Sequence, residues 1–161
     1  MIAPVTPVSV IAPDDPRALD IRRLLSLHLA FANEHCPPED VHALDVDALA
    51  DPAISFFSCR RDGRLLGVGA LKHLNDQHSE LKSMHTAQQA RGQGVGRAMV
   101  EYLVALASAR GYERVGLETG TMEAFAPARL LYLSVGFTVC PPFGDYFDSP
   151  NSVCMTRLLA R

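Results

Sequence analysis

No apolar run in these 161 residues approaches the roughly 18 needed to cross a bilayer as a helix. There is no basic excess either. Lys and Arg number 15 against 18 Asp and Glu, a net charge of -3, which argues against nucleic acid or an anionic membrane as the main partner. Basic residues are missing before Arg17 and no signal-peptide pattern is present, so a cytoplasmic protein is expected. The four cysteines, Cys36, Cys59, Cys140 and Cys154, lack C-x-x-C spacing. A chain of this size does not need disulfides, and they are expected to be reduced, packed thiols. No linker, repeat or low-complexity segment divides the chain. With 48% hydrophobic residues, positions 1–161 read as a single domain with a good core.

The chemistry begins at Gln89-Ala90-Arg91-Gly92-Gln93-Gly94-Val95-Gly96-Arg97. A strand-like segment, Glu80-Leu81-Lys82-Ser83-Met84, precedes it, and residues with apolar three- and four-residue spacing follow. Three glycines on alternate positions let a ligand approach backbone N–H groups that no side chain shields. At a helix start, those groups and the positive end of the helix dipole form an anion site. Arg91 and Arg97 add positive charge. The spacing is neither a P-loop, which needs Gly-Lys-Ser/Thr, nor a G-x-G-x-x-G dinucleotide fingerprint.

The pattern elsewhere predicts an α/β (α+β) domain. A strand is expected over 8–12, then a helix opened by Asp15 as N-cap and Pro16 as first helical residue. Leu24, Leu25, Leu27, Leu29 and Phe31 form its apolar side, and Cys36-Pro37-Pro38 stops it. A small helix follows near 46–50. Strands over 54–60 and 65–74 are joined at Asp62-Gly63, a hairpin signal, and 80–85 continues the meander. A helix over 96–110 ends at Gly111. A strand over 114–118, a helix over 127–135 and two final strands complete the chain.

Gln89, Gly92 and Gly94 fit the Q/R-x-x-G-x-G/A loop, and Ala128-Arg129-Leu130-Leu131-Tyr132-Leu133-Ser134-Val135-Gly136-Phe137 fits A-x-x-L-Y-x-x-x-G-F. On these motifs and the element order, the chain resembles the GNAT acetyltransferase superfamily over nearly its whole length. Segments such as Pro37-Pro38-Glu39-Asp40-Val41-His42 and Pro142-Phe143-Gly144-Asp145-Tyr146 are similar to its YsnE-like branch. The resemblance implies a mixed central sheet of about six to seven strands, splayed at the cofactor site and flanked by about four helices. It implies acetyl-CoA as cosubstrate, with backbone groups of Met84, His85 and Thr86 on the pantetheine. The pyrophosphate would lie on Arg91, Gly92, Gln93, Gly94, Val95, Gly96 and Arg97.

By the same resemblance Tyr132 is the acid for the leaving thiolate. Glu80 is the base, directly or through water, with Glu118 as its rival. An alkyl ammonium is only about 0.1% neutral at pH 7, which is why a base is needed. His42, Asp145 and Tyr146 are candidates for an acceptor pocket that takes a small-molecule or peptide amine. His73, His78 and His85 recur along the strands without a helical pair or carboxylate cluster, so no metal is expected. Transfer by Cys140 or Cys154 is disfavoured against direct transfer in a ternary complex. A homodimer through strand-like residues 152–159 is possible, since an unpaired apolar edge invites pairing. A non-catalytic acyl-CoA-binding module and a nucleotide- or phosphate-binding domain stay open beside the enzyme.

Overall fold

Seven strands and four helices are built from these signals in the computed structural model, which describes residues 7–160. In chain order they are β1 (Val10–Pro13), α1 (Leu19–His35), α2 (Val46–Leu49), β2 (Ile54–Arg61), β3 (Arg64–His73), β4 (His78–Thr86), α3 (Val95–Ala109), β5 (Arg114–Gly120), α4 (Ala126–Ser134), β6 (Thr138–Cys140) and β7 (Ser152–Leu158). The single sheet runs β1-β2-β3-β4-β5-β7-β6. All pairings are antiparallel except β4 with β5, so the sheet is mixed. The predicted order and class hold. No helix among the described residues is long and apolar enough to cross a membrane.

Local chemistry explains most boundaries. Asp62 and Gly63 both take positive φ (50° and 77°) between β2 and β3, the conformation a two-residue type I′ hairpin requires. Gly111 at φ +86° follows α3 as a C′ glycine. α3 buries Val95, Met99, Val100, Leu103, Val104 and Ala107 along one stripe, and both α1 and α3 pack on β3 and β4.

Three expectations need correction. The first helix does not start at Asp15-Pro16. Asp15 instead closes a turn, its Oδ1 accepting from the Arg17 amide at 2.8 Å and its carbonyl from the Ala18 amide at 3.0 Å. An Asx turn has captured the aspartate that would otherwise cap, and the helix begins at Leu19. What fixes this entry is Arg60 on β2, whose Nε donates to Asp14 Oδ2 at 3.0 Å while its two terminal nitrogens fork onto Asp20 at 2.6 and 3.1 Å. Second, Leu27 is 62% exposed; the inward stripe is Ile21, Leu24, Leu25 and Ala32, the spacing a 3.6-residue period selects. Third, β7 is not an unpaired edge, because it lies between β5 and β6. β6 covers it over residues 154–156. All four cysteines are free thiols.

Burial rather than residue type should decide stability here. Leu103, fully enclosed in the core, should lose about 2–5 kcal/mol of unfolding free energy on Leu103→Ala. Leu27→Ala should stay within about 0.5 kcal/mol of the parent. Urea unfolding midpoints check both, and equal losses would contradict this account of α1.

Candidate active site

β4 and β5 pair in parallel only over His78–Glu80 and Arg114–Gly116, with His78 opposite Arg114 and Glu80 opposite Gly116. Beyond Glu80 the strands have no mutual register, so the edge of β4 that faces β5 is unpaired through Thr86. β4 is also bulged on its other side. Val68 faces His85 but Ala70 faces Lys82, so one extra residue sits on β4, and Ser83 takes φ +54° there. A bulge re-aims backbone groups and bends the strand, which opens the gap further. The Ser83 hydroxyl is left buried without a partner.

The gap is the mouth of a cleft of about 680 Å³, within the usual size of a small-molecule site. At one end are Arg91, Gly92, Gly94, Val95, Gly96 and Arg97. Gly92 and Gly94 take φ +75° and +80°, and a Cβ built on either meets nothing within 4 Å. Gly94 is the N-cap of α3 and has no side chain to occupy the first amides, so they are free for an anion. Arg97 is partly committed, with one nitrogen donating to Ser134 Oγ at 2.6 Å and another 3.6 Å from Glu101. Gln93 does not line the cleft. Its amide accepts from Arg61 at 3.2 Å and donates to the Gln89 carbonyl at 3.3 Å.

Met84, His85 and Thr86 form the middle of the wall, as the unpaired β4 edge requires. Opposite His85 stands His28 of α1, with the two Nδ1 atoms 3.1 Å apart. Burial lowers both pKa values to about 4, aided for His28 by the His85 charge and for His85 by Arg91. Both rings are therefore neutral at pH 7, one nitrogen donating and the other accepting.

At the far end Tyr132, Glu118, His42 and Lys82 line the cleft. Tyr132 projects from α4, and its hydroxyl is pushed up to about 12 by burial and then by the Glu118 charge, so it keeps its proton at neutral pH. Glu118, on the part of β5 beyond the splay, is raised to about 7 by burial, against the Ser152 hydroxyl that donates to its Oε1 at 2.9 Å. Glu80 is placed differently. Its carboxylate is buried, accepts from the Tyr146 hydroxyl and sits 3.6 Å from Lys82 Nζ, and it is not on the cleft wall. Tyr146 backs the wall through the same network, and burial followed by the Glu80 charge raises its hydroxyl far above the usual range. His42 lends its carbonyl to Lys82 at 3.2 Å, and its ring meets Tyr146 edge-on at 4.9 Å. Asp145 is not brought to the site. It is exposed beside Gly144, in a turn closed by the Tyr146 amide on the Phe143 carbonyl at 3.1 Å. His78 is a buried, neutral ring against Phe143, and the described residues contain no group of three or more possible metal ligands.

Asp40, Lys82 and His28 were missed as cleft residues. Lys82 was legible, because it shares the face of Glu80 at a two-residue strand period. His28 carries no signal in α1, since its partner is 57 positions away.

The mixed sheet thus parts beside a glycine cradle, with a tyrosine hydroxyl and a carboxyl at the other end of the cleft. The model for the acetyltransferase (GNAT) family matches residues 20–137, and the chain belongs to that family. It is 43% identical to the uncharacterized N-acetyltransferase YsnE of Bacillus subtilis (strain 168), over 91% of this chain and 97% of that one. The uncharacterized N-acetyltransferase YedL of Escherichia coli (strain K12) is 39% identical over 88% and 89%. In fold it is similar to a GNAT family acetyltransferase from Elizabethkingia anophelis solved with acetyl-CoA bound. The TM-score is 0.70 with 16% identity, over 94% of this chain and 98% of that one.

The Glu118 carboxyl should titrate with a midpoint near pH 7 when followed by carbon NMR. Its Ser152 hydrogen bond favours the ionised form, so Ser152→Ala should move the midpoint upward. A midpoint in the ordinary carboxylate range near 4 would contradict the burial described.

Proposed function

We propose that this protein is an acetyl-CoA-dependent N-acetyltransferase acting on the amine of a small molecule or peptide, with both substrates bound together. The observation that carries the reading is one continuous cleft. It holds the open glycine cradle at one end, an unpaired strand edge in the middle, and Tyr132 with Glu118 at the other.

The residues present suit the cosubstrate. The amides at the start of α3, with Arg91, would hold a pyrophosphate. The free edge of β4 at Met84, His85 and Thr86 would pair with pantetheine amides as a strand does. Acetyl-CoA supplies the acetyl group as a thioester. Glu118 is the better base than Glu80, because it lines the cleft and its raised pKa lies near the working pH. It removes a proton from the acceptor ammonium, and the neutral amine forms the new C–N bond as the C–S bond breaks. Tyr132 gives its hydroxyl proton to the departing sulfur. The ammonium loses two protons in all: one leaves through Glu118 to solvent, and the other replaces the proton that Tyr132 delivered. Glu80 then acts from behind the wall by holding Lys82, which lines it, and Tyr146.

Gly94→Asp should abolish CoA binding in calorimetry, because it adds a negative charge and a Cβ-bearing residue at φ +80° where the anion must sit. Unchanged affinity would remove the cofactor assignment.

Tyr132→Phe should keep CoA affinity and lower the rate of transfer by about 10²–10⁴-fold. Glu118→Gln should abolish the acidic limb of the pH–rate profile, which in the parent lies near pH 7 because the base must be ionised. Glu80→Gln should leave that limb in place. A parental rate in Tyr132→Phe with chemistry rate-limiting, or a surviving limb in Glu118→Gln, would sink the corresponding role.

A further inference from the structure

One buried charge at the acceptor end is left unused by this mechanism. Asp40 ends a 3₁₀ turn, Pro38–Asp40, and lines the cleft although its residue is only 4% exposed. Its Oδ2 accepts from Ser149 Oγ at 2.9 Å and Asn151 Nδ2 at 3.3 Å. Its Oδ1 is shielded from solvent and has no hydrogen-bond partner. Buried polar atoms in native structures are nearly always satisfied, so an orphan atom on a residue that lines a substrate cleft points to a donor that arrives with the ligand.

Among the described residues, neither cation at this end of the cleft serves that oxygen. Lys82, the cation on this wall, donates to the His42 carbonyl at 3.2 Å and the Tyr146 hydroxyl at 2.9 Å and is ion-paired with Glu80 at 3.6 Å. Arg129 is spent on the carbonyls of Gly120 and Met122 at 2.8 and 2.9 Å. The His42 ring is lowered by burial and then by Lys82, which leaves it neutral at pH 7. Asp40 and Glu118 therefore line this end of the cleft, while the charge of Lys82 on the same wall is offset by Glu80 behind it. Cys36 lines the same cleft as these two carboxyls.

Resting on the acetyltransferase reading above, we infer that Asp40 Oδ1 anchors a second cationic group of the acceptor. Glu118 is assigned to the reacting ammonium, so Asp40 takes another. The acceptor class is thus an amine bearing a further ammonium or guanidinium group. A zwitterionic amino acid is disfavoured, because its carboxylate would meet two carboxylates with no unspent cation to balance it.

Calorimetry on the CoA-saturated protein tests this without turnover. The probes are 1,3-diaminopropane, 1,4-diaminobutane and 1,5-diaminopentane, with 1-aminobutane and 4-aminobutanoate as the single-cation and zwitterionic controls. At least one diamine should bind about tenfold or more tighter than either control, the value of a hydrogen bond to a charged group. Asp40→Asn should erase that difference while retaining CoA affinity, which reports folding. Ser149→Ala, which touches only Oδ2, should preserve the difference. No preference for any diamine in the parent protein overturns the anchor whether or not the variant folds, and so does a preference that survives in Asp40→Asn. Thiol release from acetyl-CoA with the same amines separates the two readings. Release with every amine alike removes the anchor and leaves the transferase; diamine binding without any release removes the transferase and leaves the anchor.

Discussion

The parallel contact between β4 and β5 is short, and the rest of the site follows from where it stops. Three residues on each strand hold register and then the pairing ends at Glu80 and Gly116. In a water-exposed sheet, an abandoned ladder would simply be solvated. Here the strands remain embedded, β4 against β3 and β5 against β7, so the gap cannot close. The bulge at Ser83, with positive φ at a non-glycine residue, stores modest strain in the same place. Strain of this kind persists only where the surroundings enforce it, and α1 and α3 packed on β3 and β4 supply that enforcement.

Around the gap, charge is distributed by burial. The glycine end is open and basic, with amides and Arg91 available. At the other end the lysine is ion-paired with Glu80 and donates to Tyr146 and a backbone carbonyl. This arrangement leaves Glu118 desolvated but accessible, which raises its pKa towards neutrality, while Glu80 is held as one partner of an ion pair. Two glutamates on neighbouring strands thus take different parts. The difference lies in what packs against each, not in the residue type.

Much of the fold was legible. The Asp62-Gly63 turn, the Gly111 stop, the Pro37-Pro38 break and the apolar stripe of α3 are local signals, each set by backbone sterics or helical period. The glycine loop was legible for the same reason, since positive φ at Gly92 and Gly94 depends on residues next to one another. The N-terminus of α1 was not, because Asp15 had two local uses, cap or Asx turn, and the choice was made by Arg60 reaching from β2 to Asp14 and Asp20.

The sequence by itself determined the order of elements, the anion-binding loop and the tyrosine of the A-x-x-L-Y motif, because these are written in short stretches whose geometry is intrinsic. Only the tertiary structure decided which glutamate faces the cleft, that Lys82 is spent, that β7 is covered by β6, and that Asp40 Oδ1 is left without a donor. Those outcomes join positions such as Asp40 with Asn151 and Glu80 with Tyr146, which are 111 and 66 residues apart. Desolvation and hydrogen-bond satisfaction are properties of the packed surroundings, and no local pattern in the chain encodes them.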